Sequence, residues 1–152
     1  MAAPVITKVL SRDFDIHINT GTVAVPVWTK IGGLANDGIA ITPSVGDADF
    51  SDADDGGWEK SLPVSRGWTV ALKGDRMESP SDGTRDAGQA AVEAIMGEMG
   101  VDALAGFKIS SPANTPEERF FYAWAEVTPN GGSDKATWEA TLHVWGDFAE
   151  AL

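Results

Sequence analysis

Apolar and polar positions alternate strictly along Gly67–Gly74. Trp68, Val70 and Leu72 fall on one face, and Thr69, Ala71 and Lys73 on the other. A two-residue period marks a strand with one buried face. Pairing partners lie on both sides of it in the chain, so it is expected as an inner strand of an antiparallel sheet. The same period recurs over Asp13–Asn19, with Phe14, Ile16 and Ile18 on one face, and over Thr22–Ile31, with Val23, Val25 and Val27. Pro26 cannot donate to a ladder, so this second strand belongs at an edge or carries a bulge. Thr20-Gly21 is the turn between them, and Gly32-Gly33 ends the pair.

Further on, Trp58–Val64 reads as a short strand and Ala105–Ser110 as another. Arg119–Thr128 and Lys135–Asp147 are the longest. Phe121, Ala123, Ala125 and Val127 share a face of the former; Trp138, Ala140, Leu142 and Val144 share a face of the latter. Pro129-Asn130-Gly131-Gly132-Ser133 between them is a hairpin signal. One stretch changes period. Val92, Ile95, Met96 and Met99 form an apolar stripe at helical spacing, preceded by the small residues Ala87, Gly88 and Ala91. Ser81, Asp82 or Thr84 can cap this helix, Asp86 suits its first turn, and Gly100 suits its end. The expected fold is mainly β: an antiparallel β-sandwich or small barrel of about seven strands, with one flanking α-helix at about residues 84–99.

Two stretches lack a clear period. Residues 1–12 read as an N-terminal arm outside the core. Residues 34–57 read as a long acidic loop, with Asp37, Asp47, Asp49, Asp52, Asp54 and Asp55 and no Lys or Arg. A loop of that length in a compact domain has a function or is disordered. Ile39, Ile41, Val45 and Phe50 within it imply that part of it orders against something.

Composition narrows the function. A length of 152 residues, 43% of them hydrophobic, fits one domain over 1–152 with a real core. Eleven basic residues against 23 acidic ones leave a net charge of −12, which disfavours binding to phosphate backbones. The absence of cysteine excludes disulfides and thiolate metal sites. Met1-Ala2-Ala3-Pro4 lacks the basic and apolar regions of a secretory signal, and no run approaches a membrane span.

Candidate chemistry is sparse. His17 and His143 each sit on a polar strand face, where rim histidines are common. No nucleophile elbow, P-loop or zinc-protease pattern occurs, so no catalytic residue and no cofactor is assigned. The acidic loop invites a calcium reading. The EF-hand template fails there: starting at Asp47, Asp52 takes the glycine place and Trp58 that of the terminal acid; starting at Asp52, Pro63 takes the acid's place.

The order of elements resembles that of the major tail proteins of long-tailed bacteriophages, the tail-tube subunits. The resemblance spans about residues 13–147. It rests on Val27-Trp28-Thr29-Lys30-Ile31-Gly32-Gly33, on the acidic stretch from Asp47 through Phe50, Asp54 and Asp55 to Trp58 and Glu59, on Ser65–Gly74, and on a helix followed by a C-terminal hairpin. It implies a virion structural protein without enzymatic activity. Such subunits self-assemble into hexameric rings that stack into a tube with an acidic lumen, through which DNA passes without specific binding. The implied partners are further copies of the chain and other tail proteins, such as terminator, tape measure and distal tail proteins. No membrane is involved; the implied location is the virion tail, after assembly in the host cytoplasm. The long loop, with Asp47, Asp49, Phe50, Asp52, Asp54 and Asp55, is the expected ring-stacking interface. The alternatives are a monomeric β-sandwich module binding calcium or carbohydrate through the acidic loop, and a tail terminator or head–tail connector.

Overall fold

The computed structural model describes residues 3, 13–51, 54, 56–113, 116–131 and 135–149. The proposed arm, residues 1–12, lies outside them except for Ala3. The described chain forms β1 (Asp15–Asn19), β2 (Trp28–Lys30), β3 (Leu34–Asp49), β4 (Ser61–Asp75), α1 (Ala87–Met96), a 3-10 turn (Gly100–Ala103), β5 (Ala105–Ser110), β6 (Glu118–Gly131) and β7 (Thr137–Ala149). All seven strands belong to one antiparallel sheet in the order β2-β1-β5-β6-β7-β4-β3. The stretch Gly67–Gly74 lies in β4, between β7 and β3, as an inner strand.

Alternation decides which side of the sheet is buried. Ile16 and Ile18 of β1, Phe107 and Ile109 of β5, Phe121, Ala123 and Ala125 of β6, Trp138, Ala140 and Leu142 of β7, and Val70 and Leu72 of β4 form one core with Ile31 and Val92. Register enforces this: Ile18 faces Phe107, Phe107 faces Phe121, Ala125 faces Leu142, and Leu142 faces Val70. A slip of one residue would turn each set to solvent. Phe107 and Phe121 stack at 5.5 Å, and Phe148 meets Phe121 edge-on at 5.3 Å.

The sheet curls because its two edge strands are consecutive in the chain. Only Ile31, Gly32 and Gly33 separate β2 at one edge from β3 at the other. Three or four residues span at most about 14 Å, so the edges must approach at that end. The Ile31 N–H donates to Ile16 O (3.0 Å), and the Asp75 N–H donates to Gly33 O (2.9 Å). Both ends of one sheet thereby face a single core, but no ladder joins β2 to β3: the sheet is open, not a closed barrel.

Helix α1 locks this seam. The Gln89 side chain is fully buried. Its Nε2 donates to Gly32 O (3.0 Å) and Asp75 O (2.8 Å), and its Oε1 accepts from Met77 N–H (3.2 Å). Asp86 Oδ2 accepts from the N–H groups of Gln89 (3.0 Å) and Gly32 (3.1 Å). Asp86 is thus the helix N-cap, where the sequence suggested Ser81, Asp82 or Thr84. Residues before it are held in a turn, with Glu78 bridging Arg85 and the Asp86 N–H donating to Met77 O. Gly88 lets the helix lie against the Lys30 carbonyl and Ile31 Cα, where a Cβ would collide with backbone. The helix ends at Met96 with Gly97 as its cap, so it is shorter than 84–99. Gly100, with φ +64°, opens the 3-10 turn instead.

A second polar cluster ties α1 to β7. Arg85 grips Glu93 with two hydrogen bonds (2.7 and 3.1 Å), and Glu93 Oε1 also accepts from the buried Trp138 indole (3.0 Å). Burial pushes the Glu93 carboxyl up. The hydrogen bonds from Arg85 and Trp138, with the charges of Arg85 and Arg76, outweigh it and hold the carboxyl below its ordinary value.

The expected strand Thr22–Ile31 is reduced to Trp28–Lys30. Asn19 Oδ1 accepts from the N–H groups of Gly21 and Val27, and Thr22 Oγ1 accepts from Val25 N–H, so side chains take over a turn where a ladder was expected. Val23, Val25 and Val27 are exposed there.

Two predictions follow from these clusters. Gln89→Leu leaves one N–H and two carbonyls of the seam without a partner and is expected to cost about 2–4 kcal/mol; urea denaturation measures it. Glu93 titrates lower in the folded chain than in the unfolded one. Its contribution is therefore present above the unfolded value and lost as pH falls through the folded value. A Glu93→Gln variant should be less stable than the parent at neutral pH, and that gap should narrow in denaturation curves taken from about pH 5 to pH 3.

Candidate assembly interface

The stretch read as an acidic loop is mostly strand. β3 runs from Leu34 to Asp49 and pairs with β4 nearly to its end: Ile41 with Val70, Val45 with Arg66, Asp47 with Pro63, Asp49 with Ser61. Ile39, Ile41 and Val45 occupy alternate positions, a strand signal that Gly38, Pro43, Gly46 and the aspartates obscured. Pro43 is tolerated because β3 is an edge strand. Pro63 is tolerated because β4 has no partner but β3 at that point. The expected short strand Trp58–Val64 becomes the start of β4 at Ser61.

Pairing between β4 and β7 stops at Thr69 and His143. From Thr69 to Ser61 the β3–β4 hairpin continues as a two-stranded ribbon, about 26 Å long at the usual rise. A bulge between Gly46 and Asp47 interrupts its register. The Phe50 N–H donates to Lys60 O (2.7 Å), and the Lys60 N–H donates to Ser51 Oγ (2.7 Å), closing the ribbon at its tip. Asp49 Oδ1 accepts from Ser51 N–H (2.8 Å); hydrogen bonds from the Ser51 side chain and backbone hold its carboxyl below the ordinary value.

Both faces of the ribbon are open to solvent. Val45, Phe50, Leu62 and Val64 are more than half exposed, and Trp58 is 80% exposed. A lone two-stranded hairpin is marginal in water, and this one displays large apolar side chains along its length. Of the predicted interface residues, Asp47 and Asp49 lie on β3, Phe50 follows it, and Asp54 is exposed in the tip. Asp52 and Asp55 lie outside the described residues.

A second apolar surface was not foreseen as a site. Met99, Val101, Ala103 and Leu104, around the 3-10 turn, meet Trp124 of β6 and Trp145 of β7 in an open groove of about 480 Å³. Met99 is 85% exposed and Trp145 66%. The sequence signal was present: Trp124 and Trp145 fall on the strand faces opposite the core sets. His143 stacks on Trp124 at 3.9 Å, with its Nε2 3.3 Å from Glu126 Oε1 but outside hydrogen-bond geometry. His17 is on β1, three strands from His143. Burial, together with Lys108, lowers its pKa from the ordinary value. Among the described residues no three His, Asp or Glu side chains converge as a metal site, and no helix is long and apolar enough to cross a membrane.

Neither protein-family models nor curated proteins match this chain. Solved structures do. A chain in the tail of an empty gene transfer agent particle, refined with C6 symmetry, is 17% identical with a TM-score of 0.57, over 90% of this chain and 94% of that one. The SPP1 tail tube subunit is 14% identical with a TM-score of 0.56, over 91% of this chain and 77% of that one. A chain of the anti-feeding prophage baseplate is 10% identical with a TM-score of 0.50, over 98% and 96%. At such identities the likeness is one of fold, and the fold is that of tail-tube subunits.

Trp68, at the base of the ribbon, meets Phe148 at 5.2 Å and its indole N–H donates to Asp147 Oδ1 (3.0 Å), whereas Leu62 and Val64, nearer the tip, are more than half exposed. Replacing Leu62 and Val64 by Ser should therefore change the stability of the isolated subunit by less than about 1 kcal/mol in thermal or urea unfolding. A loss comparable to that of a core deletion would mean that the ribbon packs on its own subunit.

Proposed function

We propose that this chain is a tail-tube subunit: a virion structural protein, without catalytic function, that self-assembles into stacked six-membered rings. The observation that carries the reading is a fold shared over nine-tenths of the chain with tail-tube proteins, bearing a projecting ribbon on which Val45, Phe50, Leu62 and Val64 are more than half exposed. One surface of a subunit that fits a different surface of the next generates rings or open filaments. A two-stranded ribbon with exposed edges and apolar side chains suits such a contact, and we assign Asp47, Asp49, Phe50, Asp52, Asp54 and Asp55 to ring stacking. The tube conducts DNA without binding it, since an acidic wall repels phosphate. The other partners are the remaining tail proteins, the location is the virion tail, and assembly takes place in the host cytoplasm.

The rival reading, a monomeric module holding calcium or a sugar in the acidic loop, needs side chains that converge. Asp47 and Asp49 lie instead along an extended strand, and no three carboxylate or histidine side chains converge among the described residues. Nothing in the geometry favours a terminator or connector over a tube subunit.

Electron microscopy of the purified protein tests the proposal: tubes or stacked rings are expected, and a protein that stays monomeric at high concentration would overturn it. Deleting Asp47–Asp55 should preserve the circular dichroism spectrum and abolish stacking. Salt adds an independent check. Six subunits of −12 carry about −72 before counterions, and like charges within a Debye length of about 8 Å repel unless screened. Moderate salt should lower the concentration needed for assembly in sedimentation runs. Dissolution of polymers by salt would point to complementary ion pairs in place of apolar contacts.

A further inference from the structure

His17 has no part in the proposed stacking contact, yet it stands inside a cluster of charges. It alternates with the core residues Ile16 and Ile18, so its imidazole points to the opposite side of β1. The ladder sets it directly across from Lys30 of β2 and from Lys108 of β5. The three side chains form one row over three adjacent strands, with neighbouring Cβ atoms about 5 Å apart.

Both lysines already have counter-ions. Lys30 Nζ lies 2.9 Å from Asp15 Oδ1. Lys108 Nζ lies 3.7 Å from Glu118 Oε1 and 5.2 Å from the centre of the Trp28 ring. Asp15 of β1, Lys30 of β2, Lys108 of β5 and Glu118 of β6 are the charged groups that face His17, and their charges cancel. A neutral imidazole keeps that balance. An imidazolium would be a third cation with no carboxylate of its own, and like charges directly opposite on neighbouring strands weaken the pairing. The ring nitrogen Nδ1 adds a second difficulty. It is buried and has no hydrogen-bond partner among the described residues. Protonated, it would be a buried charged donor with nothing to accept from it, which costs far more than a bare nitrogen. Burial first, then Lys108, lower the His17 pKa from its ordinary value; Lys30 acts the same way, and Asp15 and Glu118 only partly oppose them.

The strands that would feel this charge form a short edge. β2 has three residues and pairs with β1 alone. It runs straight into the crossing, where the Ile31 N–H donates to Ile16 O and Gly32 is held by Asp86 and Gln89. Edges of this kind open locally, at less cost than global unfolding. Opening would return the imidazole to water, where it takes up its proton freely.

We propose that His17 is an acid-sensitive latch: neutral, it lets β2, β1 and β5 stay paired, and protonated, it releases the β1–β2 edge and loosens the crossing to β3. Because the closed edge disfavours the proton, the latch holds fully above the ordinary histidine value of about 6.5 and weakens as pH falls below it. Every group in it belongs to one subunit, so it does not depend on ring stacking.

Amide hydrogen exchange of the full chain, corrected for the intrinsic pH dependence of exchange, tests the latch. Protection of the β1 and β2 amides should fall several-fold between about pH 7.5 and about pH 5.5. His17→Gln, neutral at every pH, should remove that fall, and His143→Gln should keep it. A fall that survives in His17→Gln, a fall that vanishes in His143→Gln, or parent amides indifferent to pH would overturn the proposal. Should His17→Gln misfold, imidazole NMR of the parent decides instead. The His17 resonance should titrate at lower pH in the folded chain than in the chain unfolded by urea, and an equal or higher midpoint would refute the latch.

Discussion

The fold depends on a link of three residues between the two edges of one sheet. Ile31, Gly32 and Gly33 carry the chain from β2 to β3, and every other strand lies between those two. A seven-stranded sheet left to its ordinary twist would keep its edges apart. Here they are forced together at one end, and the backbone groups exposed in the crossing need partners away from water. The buried Gln89 amide supplies three of them and the Asp86 carboxylate a fourth. An unmet buried donor or acceptor costs more than an ordinary hydrogen bond gains, so this polar contact specifies where the helix sits and how tightly the sheet curls. Gly88 belongs to the same constraint, since the helix can come that close only without a side chain there. A glycine within a helix costs stability on its own account, and the seam is what offsets it.

Closing one end leaves the other to grow. β3 and β4 are the longest strands, at 16 and 15 residues, and only their proximal parts contribute to the core. The distal parts form a ribbon with no layer behind it, so its stability as an isolated hairpin is marginal and contact with another molecule would order it further. The same chain presents an apolar groove on the outer face of β6 and β7. Two unlike unpartnered surfaces on one subunit are the geometric requirement for an assembly that propagates. A net charge of −12 makes copies of the chain repel one another unless screened.

Much of this was legible in the residues. The core faces of β1, β6 and β7, the inner position of Gly67–Gly74, the hairpin near Asn130-Gly131 and a single helix all follow from period two and period 3.6, because alternation alone decides which side chains can share a dry face. The acidic stretch was misread where chemistry and pattern disagreed. Its aspartates, Pro43 and Gly46 are turn formers by propensity, yet at a sheet edge they meet no penalty, and backbone pairing with β4 overrode them. The strand expected over Thr22–Ile31 failed for the converse reason: Asn19 and Thr22 side chains compete for the same backbone groups.

The sequence by itself determined the period of most elements, the buried faces of β1, β4, β6 and β7, and the acidic charge, because each is a property of neighbouring residues or of composition. Only the tertiary structure decided the strand order, the curl, the roles of Gln89 and Asp86, and the meeting of Met99 and Val101 with Trp124 and Trp145. Those depend on contacts between residues far apart in the chain, such as Gln89 with Gly32 and Glu93 with Trp138. No local period encodes them; they exist because a three-residue crossing leaves the sheet one way to close over its core.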